Sequence, residues 1–141
     1  MSLLLDTNVL SELLRAQPDS AVLAWVATQP ANSLFVGAVT QAEMLLGARL
    51  LPAEKRRLQL EQALDAMLRE DFAGRVLPFD SGAAADCATV VAARRRAGAP
   101  ISQFDAQIAA IALSHRLGVA TRNVSDFEGC GLTLTNPWDG S

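Results

Sequence analysis

The sequence predicts an α/β domain: a mostly parallel five-stranded sheet flanked by helices on both faces. Three observations carry this. Five short apolar runs of strand character are separated mainly by segments of helical periodicity. Crossover helices between strands imply parallel pairing, with both faces of the sheet covered. Half of the 141 residues are apolar, enough for one core and too few for two, so residues 1–141 should form a single domain.

Residues 2–5 are the first strand candidate. Residues 8–15 and 19–28 read as helices, broken at Gln17-Pro18 because proline disfavours α geometry in the residue before it. Residues 33–36 form the second strand candidate and 40–50 the third helix. The fourth helix, 52–70, opens on a proline suited to a first turn, and its Leu58, Leu64, Met67 and Leu68 recur at roughly helical spacing. The third strand candidate is 75–77; helices 80–96 and 102–117 follow, each ending near a glycine, Gly98 and Gly118, as a C-terminal stop should. Residues 118–121 and 132–135 complete the strands, and no internal repeat, low-complexity tract or linker interrupts the pattern.

A net charge of −3 and a pI near 5.0 argue against a protein that coats nucleic acid non-specifically, which needs a surplus of basic residues. A local basic patch stays open: eleven of the 12 basic residues are Arg, with Lys55 the only lysine. Cys87 and Cys130 form no CxxC pair and read as small buried hydrophobes. No basic segment leads into a signal-like apolar stretch, and no run approaches the roughly 18 apolar residues that would span a bilayer, so the expectation is a soluble cytoplasmic protein without a membrane partner.

In a parallel α/β sheet, ligands bind beyond the carboxyl ends of the strands. Four acids fall on that rim: Asp6 after the first strand, Glu43 opening the helix after the second, Asp105 opening the last long helix, and Asp126 in "TRNVSDF" after the fourth strand. Each has a structural reading. "TQAE", residues 40–43, fits a capping box; "SQFD", residues 102–105, is a shorter version; Asp6 and Asp126 suit caps of a helix or turn. Jointly they need more than capping, because two carboxylates about 5 Å apart repel by roughly 3 kcal/mol at an effective dielectric near 20. Lys55 lies in a surface-like helix, the single histidine, His115, sits near a helix C-terminus, and Arg122 can neutralise one acid but not four. A hard divalent cation with oxygen ligands, Mg²⁺ above all, is the natural remedy.

Four stretches, "LLLDTNVLSELL", "VTQAEMLLGA", "ISQFDAQIAAIAL" and "ATRNVSDFEGCGLTLTNPW", together resemble the PIN-domain ribonucleases, in particular the VapC and FitB type of toxin from bacterial toxin–antitoxin pairs. The resemblance runs from residue 1 to about 138, with the motifs in the family's order and all four acids present. It implies a PIN-like fold and metal-dependent hydrolysis of RNA phosphodiester bonds. It places Asp6, Glu43 and Asp105 at the three acidic positions that coordinate Mg²⁺ or Mn²⁺ and Asp126 at a fourth, with Asn8, Thr121 and Asn123 as polar positions around the metal. It further implies a cognate antitoxin whose tail occupies the acidic groove, a homodimer, and contact with DNA only through the antitoxin.

Arg94, Arg95 and Arg96 either hold RNA backbone away from the scissile bond or complement the dipole of a helix end. With no tyrosine, and Trp25 and Trp138 the only tryptophans, a base-stacking platform is poorly supported, and recognition of a structured RNA by shape fits better. Trp25, in the stripe of Val22, Leu23 and Val26, is expected to be exposed and to lose exposure on antitoxin binding.

Other phosphoryl-transfer classes fit less well. A receiver-type phosphoacceptor needs adjacent early acids and a late lysine, and a haloacid-dehalogenase-like phosphatase needs a second Asp where Asn8 stands. Serine and cysteine hydrolases lack their GxSxG elbow and a second histidine. The alternative from another class is a non-catalytic α/β protein-binding module whose acids only cap helices.

Overall fold

The computed structural model describes residues 1–139. Strands β1 (Leu3–Leu5), β2 (Leu34–Gly37), β3 (Val76–Leu77), β4 (Gly118–Ala120) and β5 (Leu134–Thr135) form one sheet in the order β3-β2-β1-β4-β5, with every neighbouring pair parallel. Helices α1 (Thr7–Leu13), α2 (Ser20–Thr28), α3 (Ala38–Arg49), α4 (Glu54–Ala66), α5 (Ser81–Arg96) and α6 (Gln103–Ser114) connect them. The chain runs outward from β1 to β2 and β3, then returns to lay β4 on β1's other edge. Strand order therefore reverses at β1, and the crevice beyond β1 and β4 is where such sheets bind ligands.

The central strand shows why both faces are covered. Side chains alternate along a strand. Leu3 and Leu5 enter one core with Val9, Leu10, Trp25, Leu64 and Phe72, whereas Leu4 enters the other with Ala83, Ile108, Ile111, Val119 and Phe127. A strand buried on both faces has no room for a polar position, so β1 reads as an unbroken leucine run and the first polar residue, Asp6, marks its end.

Several boundaries differ from the sequence reading for identifiable reasons. Helix α3 starts at Ala38 with Gly37 as N-cap, two residues before the expected Thr40. Helix α4 starts at Glu54, leaving Pro52 outside it, and it changes at Met67 into a π-helical turn, Met67–Asp71, closed by Phe72 N donating to Met67 O at 3.1 Å. A π turn rotates less per residue than an α turn. It takes back the drift that four-residue spacing accumulates, so Leu64, Leu68 and Phe72 all stay in the core while Leu58 points outward. Trp25 is 9% exposed and packs in the core, which corrects the expectation of an exposed anchor; in its stripe it is Leu23 that faces outward.

Helix α6 stops at Ser114 rather than 117, and its left-handed residue is Arg116 (φ 58°), with Leu117 N bonded to Ala112 O at 2.8 Å. Gly118 is not the stop signal the sequence suggested. It lies inside β4, where a Cβ would stand 2.8 Å from Leu3 Cδ2 and 2.9 Å from the carbonyl oxygen of Thr133. Gly118→Ala is accordingly expected to cost about 1–3 kcal/mol of stability, read as a lower urea midpoint at unchanged slope. An unchanged midpoint would show that the strands around it have slack.

Candidate metal centre

Asp6 is the N-cap of α1, and the polypeptide turns there from strand to helix. Its Oδ1 accepts from Thr7 N at 2.8 Å; its Oδ2 accepts from Thr121 Oγ1 at 2.8 Å and from Asn8 Nδ2 at 3.1 Å. Thr121 follows β4, the strand beside β1, so the sheet register itself delivers this hydroxyl. Asn8 Oδ1 in turn accepts from Arg122 N at 3.2 Å, and Thr121 Oγ1 accepts from Asn123 N at 3.0 Å. Asn8 and Thr121 thus tie the ends of β1 and β4 together through one buried carboxylate. Asn123 takes part through its backbone amide.

Glu43 lies one turn into α3 and its Oε1 accepts from Thr7 Oγ1 at 2.8 Å. The capping-box reading of "TQAE" does not hold: Thr40 is buried inside the helix, its hydroxyl 3.3 Å from that of Thr7, and Glu43 points into the crevice. At α6 the capping reading holds in half. Ser102 Oγ accepts from Asp105 N at 3.2 Å, and the Asp105 carboxylate lines the acidic groove. Asp126 sits in a 3₁₀ turn, Val124–Phe127, anchored beneath by Phe127, which is fully buried.

Asp6, Glu43, Asp105 and Asp126 line one open groove of about 400 Å³ together with Thr7, Asn8, Ser11 and Asn123. Burial, followed by the charge of Glu43, holds the Asp6 carboxyl above the usual range against the opposing hydrogen bonds. Burial likewise raises Asp105, reinforced by the charges of Asp6 and Asp126. Among the described residues the one cation that eases it is Arg94, which acts from outside the groove and lowers Asp105 only in part. The ion pairs Arg15–Glu12, Arg49–Glu61 and Arg69–Asp65 all lie outside the groove. Arg122 stacks on Trp138 at 4.9 Å, His115 caps the far end of α6, and Lys55 is exposed on α4.

The donor set is all oxygen and anionic, which suits a hard divalent cation. No group of three or more His, Cys, Asp or Glu among the described residues is arranged to hold a metal ion by itself. Mg²⁺ commonly takes one or two protein carboxylates directly and keeps waters or substrate phosphate as its other ligands, and the residues fit that kind of site.

One site residue, Thr7, escaped the sequence reading, and another, Arg94, was read there only together with its two neighbours. Thr7 links Asp6 to Glu43, and only its place inside "DTN" hinted at it. Arg94 is set apart from Arg95 and Arg96: its Nε donates to Ala99 O at 2.6 Å and its Nη1 to Asp126 O at 2.9 Å and Glu128 O at 3.0 Å. Asp6 has one buried counterpart among the described acids, Glu12, which lies outside the groove and accepts from Asp19 N and Arg15, joining α1 to α2.

A small parallel sheet whose switch point gathers four carboxylates is the architecture of the PIN domain, and the chain belongs to that family, which it matches over residues 3–128. Relatives that it matches over nearly their full length include proteins named VapC and FitB. It is 44% identical over 137 residues to VapC ribonuclease Y4jK of Sinorhizobium fredii, covering 97% of this chain and 98% of that one. It is 40% identical over 136 residues to Toxin FitB of Neisseria gonorrhoeae, covering 96% and 98%. The crystal structure of FitAcB from Neisseria gonorrhoeae superposes with a TM-score of 0.90 at 40% identity, over 96% of this chain and 98% of that chain.

Proposed function

We propose that this chain is an Mg²⁺- or Mn²⁺-dependent endoribonuclease toxin that hydrolyses RNA phosphodiester bonds and is held inactive by a cognate antitoxin. One observation carries the reading: four carboxylates share a groove at the sheet's switch point, and among the described residues no cationic side chain forms an ion pair with any of them. The similarity to a protein named VapC ribonuclease and to a toxin supports it. The metal, when bound, supplies Lewis-acid chemistry: it acidifies water and offsets charge building on the phosphate oxygens during in-line displacement.

The chain's own residues do the rest. Asp6 and Asp105 anchor the ion, while Glu43 and Asp126 complete the site or orient the attacking water. Thr121, Asn8 and Thr7 hold Asp6 in one rotamer, so the carboxylate meets its ligand without reorganising. Asn123, through its backbone amide, fixes the Thr121 hydroxyl. With Nε and Nη1 of Arg94 engaged, contact with RNA backbone falls chiefly to exposed Arg95 and Arg96, and the RNA is a structured one read by shape. The protein acts as a homodimer in the cytoplasm and meets DNA only through its antitoxin. Among the described residues no helix is long and apolar enough to cross a membrane.

The test is cleavage of total cellular RNA by antitoxin-free protein with Mn²⁺ or Mg²⁺, beside a chelator control. Discrete fragments that vanish with chelator are expected. Intact RNA under all conditions, with no metal-induced rise in melting temperature, would favour the protein-binding module instead.

A further inference from the structure

Asp126 is exposed and rides on a turn of four residues, followed by glycines at 129 and 131 with φ of 75° and 79°. Such a turn has little to fix it except the buried Phe127 below. Arg94 supplies a second anchor from another part of the chain. It stands in the last turn of α5, where Gly98 (φ 73°) takes the left-handed position that ends the helix, and Ala99 N folds back to donate to Arg94 O at 3.0 Å. The guanidinium answers by donating from Nε to Ala99 O, so main chain and side chain of Arg94 are clamped to the same residue. Thus held, Nη1 reaches across to the carbonyls of Asp126 and Glu128 and lies 3.7 Å from Cys130 Sγ. Carbonyls bonded to a charged donor are held more firmly than by a neutral one.

We propose that Arg94 is a positioning residue, a clasp that fixes the Asp126-bearing turn against α5 so that Asp126 faces Asp6 and Asp105 before any ligand arrives. The same cation partly offsets the repulsion at Asp105. A fork is required rather than a charge, because a lysine ammonium cannot bridge Ala99 and the turn together. The clasp is a statement about the metal-free chain; its consequence for catalysis rests on the nuclease reading.

Hydrogen exchange of the metal-free protein over residues 122–130 tests it, with Arg94→Met, Arg94→Lys and, as control, Arg69→Met on the exposed face of the π turn. Exchange in that segment is expected to rise at least about fivefold in both Arg94 variants and not in the control, with β4 still protected. Mn²⁺ affinity should fall about 10- to 100-fold and kcat similarly, while KM for RNA stays within about twofold and lysine gives no rescue. If Arg94→Met fails to fold, Arg94→Lys carries the comparison. Unchanged exchange in the folded variants would overturn the clasp, as would a loosened turn with wild-type Mn²⁺ affinity. A loosened turn in a chain whose wild type neither binds Mn²⁺ nor cleaves RNA would sink the nuclease reading and leave the clasp standing.

Discussion

Asp6→Asn is expected to reduce RNA cleavage at least about 10³-fold while leaving the fold intact. Asparagine caps a helix as well as aspartate, so Oδ1 can keep the bond from Thr7 N that starts α1. Thr121 can rotate its hydroxyl to accept from the new amide, since a hydroxyl serves in either sense. What disappears is the charge, together with the one bond from Asn8 Nδ2, which an amide nitrogen cannot accept. A metal's stabilisation of a phosphoryl-transfer transition state is worth several kcal/mol, and about 4 kcal/mol corresponds to roughly 10³ in rate. Asp6→Ala is the poorer experiment, because it also removes the cap, worth about 1 kcal/mol, and mixes stability with chemistry. The measurement is kcat/KM on a cleaved RNA at saturating Mn²⁺, beside a thermal melt. A variant within tenfold of wild type would remove Asp6 from the site.

That Asp6 could be singled out at all follows from local rules. A leucine run ending in one acid, before a helix, is visible in the sequence because a fully buried strand tolerates no earlier polar residue. The acids at 43, 105 and 126 were legible in the same way, as polar residues just past predicted strands or at helix starts, and the structure brings all four to one groove. Strand order was not legible, because which edge of β1 receives β4 depends on packing across the whole chain. Local patterns failed where a distant partner outweighed them. Thr40 has the spacing of a cap, yet β2 passes straight into α3 and buries it. Gly118 looks like a helix stop, yet the close approach of Leu3 and Thr133 demands it while Arg116 takes the strained turn. Thr7 finds Glu43 thirty-six positions away and Arg94 finds Asp126 thirty-two away, distances over which sequence carries no pattern. Three consecutive arginines are equivalent on paper, and only the fold tells the clasp from its exposed neighbours.

The acid cluster also predicts an unusual dependence of stability on pH, and on metal. Asp6 and Asp105 both bind their proton more tightly in the folded chain than an unperturbed aspartate, which titrates near 3.8. Where the folded state holds more protons than the unfolded, stability falls as pH rises. Their penalty is therefore absent below about pH 3.8, grows as pH climbs through the raised folded values, and is complete above them. Metal-free protein should accordingly melt higher at mildly acid pH than at pH 7.5, the reverse of a protein whose carboxylates are salt-bridged. A divalent cation stabilises the ionised carboxylates, so its benefit should be greatest at high pH and fade as the acids protonate. At a metal concentration of about 100 times Kd the gain is about 2.7 kcal/mol, some 10 °C for a domain of this size. The variant Asp6→Asn/Asp105→Asn isolates the two groups: its melting temperature should vary less with pH than that of wild type, and metal should barely move it. Melting curves from pH 5 to 8, with chelator and with Mg²⁺, decide the matter. A metal-free wild type that gains stability on the double variant as pH rises would show that hydrogen bonds from Thr121, Thr7 and Asn8 outweigh burial at Asp6; an equal metal shift in both proteins would place the cation elsewhere.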